Sequence, residues 1–220
     1  MRPCLSSRTA EASPTLSLAR PRVKVSTAGV LGPYTPKIPA FNSSRPTNCL
    51  IHSTLANVWW EDVCEDAATF KQAEGKTSYV IGGGARGASD KVFQFNGRGT
   101  VSIKDFYAED YGKVMRSCGD CTANGGPRHV VIDGVIAKDG GPLCGINSNF
   151  GGKFGQIQER TELVGLTLSL DTCKISNSCQ TDGKSCDRYK GVVKGDGSSE
   201  KLGSGPDDFS CFVTPLTETC

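Results

Sequence analysis

Short runs of alternating apolar and polar residues recur along the chain from residue 55 onward. They fall at 55–63 (LANVWWEDV), 77–81 (TSYVI), 100–106 (TVSIKDF), 129–137 (HVVIDGVIA) and 173–176 (CKIS). Alternation with period two is the mark of a half-buried β-strand, and Gly, Asn and Asp punctuate these runs as turn residues do. Val58, Val80 and Ile103 are spaced by roughly 22 residues, and Val131 follows after a longer step. A period in the twenties built of strands and turns predicts a solenoid, because each coil of a right-handed parallel β-helix needs about that many residues. The competing architecture is an antiparallel sandwich, whose strands recur every 8–12 residues or so. The period breaks once: Val131 to Ile175 is 44 residues, about two steps. Residues 152–170 (GKFGQIQERTELVGLTLSL) do not look like the other coils, and removing about twenty residues restores the spacing. They are read as an insertion, a loop bulging from the solenoid or a retained intron.

Residues 1–48 show neither period and are rich in Pro, Ser, Thr and Arg, so they are expected to be irregular or disordered. The domain division is therefore 1–48, then an all-β domain over 49–220. The first twenty residues carry arginine but lack the apolar run of a secretory signal. A transit peptide is a second reading, since the stretch is Arg- and Ser-rich with only Glu11 acidic.

Composition sharpens this. Eleven cysteines in 220 residues point to an oxidising compartment and disulfides, and the odd count leaves one thiol unpaired or shared with another chain. Lys+Arg total 25 against 23 Asp+Glu, a net of +2, which gives no polybasic signature for nucleic acid. No run of 18 apolar residues is present, so no membrane-spanning helix is expected.

Three features carry candidate chemistry. Glu61, Asp62, Glu65 and Asp66 crowd one stretch (EDVCED). Hard oxygen donors suit Ca²⁺, although the EF-hand spacing is missing and a solvated acidic turn is the plain alternative. Lys91 and Lys113 are 22 residues apart, one coil, with Arg116 three residues further on. In a parallel solenoid the two lysines stack one strand spacing apart, and mutual repulsion is expected to lower their pKa values. A lysine tuned downward serves as a general base; the plain alternative is a pair of solvated surface lysines. Cys118 and Cys121 (CGDC) have no second CxxC, which favours a structural disulfide over zinc. His52 and His129 are isolated, and no nucleophile elbow occurs, so a hydrolytic triad is not expected.

Four segments then become recognisable: NVWWEDVCEDAATFK (57–71), DKVFQFNGRGTVSIKDFYAEDYGKVMRSCGDC (90–121), RHVVIDGVIAKDGG (128–141) and GINSNFG (145–151). Together with LGSGPDDFSC (202–211), they resemble the family-three pectate lyases of fungi and bacteria. The resemblance implies a secreted, monomeric enzyme with a right-handed parallel β-helix fold. It implies cleavage of polygalacturonate by Ca²⁺-dependent β-elimination, with pectin as the partner and no nucleic acid or membrane involved. The calcium-binding pair falls on Glu65 and Asp66, and the catalytic cations on Lys91, Lys113 and Arg116. Lys91 is the expected base, Lys113 and Arg116 the expected holders of substrate carboxylates, and Asp90 and Asn96 lie in the same motif. A lysine base implies an alkaline optimum.

The chain departs from the family in the region before residue 49. There the family's further coils, signal peptide and additional calcium-binding Asp have no counterpart, and a mispredicted exon or truncated gene model is expected. A hydrolase on the same fold is disfavoured, because no Gly-His-Gly motif accompanies the acids. The alternative from another class is a non-catalytic, degenerate β-helix that binds pectin.

Overall fold

The structure is a computed structural model. It describes residues 49–50, 53–63, 65–122, 124–149, 171–181, 184–214, 216–217 and 220. The expected irregular segment 1–48, the insertion 152–170 and His52 lie outside them. Among the described residues every regular element is a strand.

In chain order the strands are β1 (Cys49–Leu50), β2 (Thr54–Trp60), β3 (Ala68–Phe70), β4 (Thr77–Ala88), β5 (Phe93–Phe95), β6 (Gly99–Lys104), β7 (Tyr107–Tyr111) and β8 (Met115–Ser117). They continue as β9 (Arg128–Asp133), β10 (Ile136–Gly140), β11 (Cys144–Asn147), β12 (Thr172–Ser176), β13 (Cys179–Gln180), β14 (Cys186–Lys190), β15 (Glu200–Ser204) and β16 (Cys211–Val213). Successive coils pair in parallel, and among the described residues only β14–β15 is antiparallel. The result is a parallel β-helix with three faces. The first runs β1-β3-β5-β8-β11-β14-β15. The first half of β4 joins β6, β9, β12 and β16 in the second, and its second half joins β7, β10 and β13 in the third.

The expected periodicity is present with a register correction. The inward row of the second face is Leu55, Val80, Ile103, Ile132, Ile175 and Val213. Leu55 and Ile132 thus stand where Val58 and Val131 were expected. Slipping by one residue turns a side chain to the other face of a strand, and Val131 faces outward while Ile132 is fully buried. Burying side chains of this size is worth about 1.5–3 kcal/mol each. The inward row of the third face is small: Ala85, Ala108 and Ala137 follow Trp60. It leaves room for Phe93 and Phe106, which pack against one another with ring centroids 5.2 Å apart.

The corner between the second and third faces explains the turn residues. Asn57, Gly82, Asp105, Gly134 and Asn177 stack there, all with φ between 49° and 67°. Left-handed backbone is open to Gly and tolerated by Asn and Asp, whose short side chains bond locally. Gly83, one residue past the corner, also has positive φ, and a Cβ there would lie 2.1 Å from the Val58 carbonyl oxygen. Gly82 and Gly83 therefore serve the corner.

Among the described residues, disulfides link Cys118–Cys121, Cys144–Cys173, Cys179–Cys220 and Cys186–Cys211. The CGDC motif is indeed a disulfide. The step from Ile132 to Ile175 is 43 residues, and the described residues flanking the 152–170 segment meet: Asn147 N–H donates to the Asp171 carboxylate at 3.1 Å.

Candidate active site

The site lies on the first face, where strands enter side by side. Phe93 pairs with Met115, so Lys91 and Lys113, two residues before each, are neighbours; Val92 N–H donates to the Lys113 carbonyl at 2.8 Å. The stacking read from the 22-residue spacing is present. Ala68 pairs with Phe93, which places Asp66 beside Lys91 on the other side. Arg116 sits between Gln94 and Gly145 on adjacent strands. A cleft of about 340 Å³ is lined by Asp90, Lys91, Gln94, Lys113, Arg116 and Tyr189, with a wall from 118–120 and 198–199. A larger hollow of about 680 Å³ lies along β12, β16 and residues 206–208. It lies on the second face and has Lys174 as its one cationic lining residue.

Lys91 is largely buried and its ammonium contacts two carboxylates. It donates to Asp90 Oδ2 and lies 3.1 Å from Asp66 Oδ1. Burial opposes its charge, but the Asp90 hydrogen bond and the Asp66 and Asp90 charges prevail and hold it above the ordinary lysine range. The expected depression of Lys91 by Lys113 is therefore corrected: carboxylates closer than the second lysine decide the sign. Burial raises Asp66 despite Lys91. Lys113 is half-buried and has no ion-pair partner among the described residues.

Arg116 is buried and tightly held. Nη1 donates to the Ser117 carbonyl and to Asn147 Oδ1 (3.0 Å), and Nη2 donates to Ser199 Oγ (3.1 Å). Its guanidinium carbon lies 3.8 Å from the centre of the Tyr189 ring. Burial pushes its pKa down. Behind it stands a buried polar network. Asp171 accepts from Ser117 Oγ (2.5 Å), Arg128 N (2.8 Å) and Asn147 N (3.1 Å). Arg128, fully buried, donates to the carbonyls of Gly97 and Asn96 and to Asn124 Oδ1.

The acidic stretch divides. None of the four lines the cleft itself, but Asp66 reaches it through Lys91 Nζ (3.1 Å) and Glu65 through its backbone carbonyl, which accepts from Lys91 N–H (3.4 Å), whereas Glu61 and Asp62 are exposed. Among the described residues no three His, Cys, Asp or Glu side chains gather closely enough to cage a metal. The donor chemistry nevertheless fits a hard cation. Asp66 Oδ1 is buried and makes no aligned hydrogen bond, its contact with Lys91 being ionic only. Two carboxylates leave most of calcium's six to eight positions to substrate oxygens and water. Asn96 acts at one remove: its Oδ1 accepts from Nε2 of the cleft-lining Gln94 (2.7 Å), and its backbone carbonyl accepts from Arg128. His129 contacts Thr172 Oγ1 at 2.8 Å, a structural role. The sequence reading missed Tyr189 and Ser199, which arrive from 73 and 83 residues beyond Arg116 with no local signal.

Comparisons with known proteins agree with this fold. The pectate lyase family model matches residues 47–161. The chain is 45% identical over 172 residues to pectate lyase H of Emericella nidulans, covering 78% of this chain and 58% of that one. It is 46% identical over 142 residues to a probable pectate lyase F of Aspergillus terreus, covering 64% and 52%. Among solved structures it is similar to pectate lyase PelI of Erwinia chrysanthemi in complex with tetragalacturonic acid. That match has a TM-score of 0.58 and 33% identity over 76% of this chain and 52% of that one. Pectate lyase Pel3 of Pectobacterium carotovorum matches with a TM-score of 0.58 at 30% identity, over 76% and 51%. The chain thus spans a little over half the length of the relatives it matches. A parallel β-helix, a cation row at one coil spacing and a family match over more than half its residues lead to one conclusion: this chain belongs to the pectate lyase family.

Proposed function

We propose that this chain is a secreted, monomeric pectate lyase that cleaves polygalacturonate by calcium-dependent β-elimination. The observation that carries the reading is the convergence of Lys91, Lys113 and Arg116 in one cleft beside the Glu65–Asp66 pair, on a chain of this family. The disulfides among the described residues support an oxidising, extracellular setting. Among the described residues no helix is long and apolar enough to cross a membrane.

Glu65 and Asp66 would hold the cation. When bound, calcium withdraws electron density from the uronate carboxylate and stabilises the negative charge that develops at C5. Arg116, fixed in place, presents its guanidinium to a substrate carboxylate, where paired N–H donors match paired oxygens. A lysine takes the proton from C5. The C5–H electrons form the C4–C5 double bond, the C4–O bond breaks, and the departing oxygen is protonated by water. Lys91 is the acceptor the sequence resemblance suggests. Its two carboxylate partners favour the ammonium, and this favours Lys113, without an ion-pair partner among the described residues, as the second candidate.

The test follows the ultraviolet absorbance of the unsaturated product from polygalacturonate, with calcium and then with chelator. The expected result is a calcium-dependent rise that falls about a hundredfold or more in Lys91→Ala and in Arg116→Ala. If Lys113→Ala abolishes the rate while Lys91→Ala keeps most of it, the base is Lys113. A chain that is folded by circular dichroism, binds polygalacturonate and yields no product would establish the non-catalytic pectin-binding alternative.

A further inference from the structure

Arg116 has five N–H donors, and the protein uses three of them. Nη1 is spent on the Ser117 carbonyl and Asn147, and Nη2 gives one hydrogen to Ser199. Nε–H and the second Nη2 hydrogen have no hydrogen-bond partner among the described residues. The guanidinium lies over the Tyr189 ring, its carbon 3.8 Å from the ring centre. That ring is itself fixed. Its hydroxyl donates to Asp187 Oδ2 (3.2 Å), and Asp187 is held by Lys201 Nζ (2.6 Å) and Ser204 Oγ (2.8 Å). Burial and the Asp187 charge push the Tyr189 phenol up to about 12, so it stays a neutral donor.

The floor under Arg116 and Tyr189 is set by a glycine on β11, the strand between theirs. A Cβ on Gly145 would lie 2.7 Å from Arg116 Cδ, 3.4 Å from Lys113 Cδ and 3.4 Å from Tyr189 Cε2. Three cleft residues therefore meet over this one bare backbone position. Arg116 cannot swing aside to admit a methyl group without leaving Asn147, Ser199 or the ring. The Ser199 segment is docked in turn: Val192 N–H donates to the Gly119 carbonyl at 2.8 Å, and a Cβ on Gly119 would strike Ser199 Cβ at 2.5 Å.

We propose that Tyr189 and Gly145 are positioning residues that fix the plane of the Arg116 guanidinium, so that its two uncommitted N–H groups face a substrate carboxylate. Neither residue contacts the reacting atoms; both act through Arg116. The proposal rests on the reading of this cleft as a galacturonan site and names what tunes it. Holding a guanidinium by an aromatic face suits a planar, bidentate anion, which a flexible lysine in the same place would not select.

The experiment uses the full chain and two readouts: calorimetric binding of tetragalacturonate, and product formation from polygalacturonate. Tyr189→Leu is expected to weaken binding and to lower kcat/KM by about tenfold, the size of a desolvated cation–ring contact. Tyr189→Phe, which keeps the ring, is expected to recover most of that loss. In an Arg116→Lys background the same Tyr189→Leu change is expected to cost less than about threefold, because its effect runs through the guanidinium. If Tyr189→Leu fails to fold by circular dichroism, Gly145→Ala displaces Arg116 from beneath and is expected to give the same loss and the same non-additivity. The proposal is overturned if the leucine variant stays within about threefold of wild type, if phenylalanine is as damaging as leucine, or if the two changes add. A wild-type chain that binds tetragalacturonate without cleaving it would end the lyase reading, while the binding constants still decide the role of Tyr189. A wild-type chain that does not bind overturns the positioning proposal as well.

Discussion

Replacing Asp171 by alanine should damage the solenoid more than most core truncations. The carboxylate is fully buried and accepts three hydrogen bonds, from Ser117 Oγ and from the backbone N–H groups of Arg128 and Asn147. It also supplies the nearby negative charge for Arg128, whose side chain is fully buried and whose pKa burial pulls down to about 10. Removing it leaves two backbone N–H groups without their acceptor, at about 1–3 kcal/mol for each unsatisfied group. It also takes a nearby negative charge from the buried Arg128 guanidinium, which keeps its hydrogen bonds to Gly97, Asn96 and Asn124. These terms overlap, so the expected loss is about 4 kcal/mol, a large part of the 5–15 kcal/mol typical of a domain. Asp171→Asn keeps an acceptor and the shape, and should lose about half as much. The assay is urea unfolding followed by circular dichroism, with the wild type and both variants at one pH. If Asp171→Ala unfolds within about 1 kcal/mol of wild type, the network does not hold these coils together and the reasoning fails.

Two other perturbations follow from separate parts of the fold. Asp207 accepts from the backbone N–H groups of Phe209, Ser210 and Cys211 and from the Ser210 hydroxyl. Burial works upward on its pKa, but these donors outweigh burial and push it down to about 2. A depressed carboxyl stabilises the fold above its unfolded value near 4 and loses that contribution as pH falls through about 2. Wild type should therefore lose about 2 kcal/mol relative to Asp207→Ala across that window, read from denaturation midpoints at several pH values. Opening the Cys186–Cys211 disulfide with a Cys186→Ala, Cys211→Ala pair frees a 25-residue loop and should cost about 3 kcal/mol by the chain-entropy estimate. A melting temperature unchanged in that double variant would mean that the last coil is held by packing alone.

Much of this molecule is local and therefore legible in its sequence. A strand that closes one coil must place its next neighbour one coil length later, so the 22-residue step between Lys91 and Lys113 fixes their adjacency without coordinates. The corner stack of Asn57, Gly82, Asp105, Gly134 and Asn177 is visible as punctuation, because left-handed backbone admits few residue types. Register was harder. Val58 and Val131 share the β-branched apolar character of an inward row, yet Leu55 and Ile132 occupy it, because the positive φ at Asn57 offsets the alternation within β2. The three-residue strands of the first face, β3, β5 and β8, were too short for a period to register.

The coil, its corners and the charges that one coil repeat superposes are already written in the order of residues. Their electrostatic and geometric state depends on packing between coils. Lys91 was expected to be lowered by Lys113, but Asp66 and Asp90 lie nearer to its ammonium and reverse the sign. Coulomb energy depends on distance and burial, neither of which is written in spacing alone. Arg116 is oriented by Tyr189 and Ser199, which later coils bring back over it, and by the missing side chain of Gly145. Such contacts join residues far apart in the chain, and packing alone determines which of them meet.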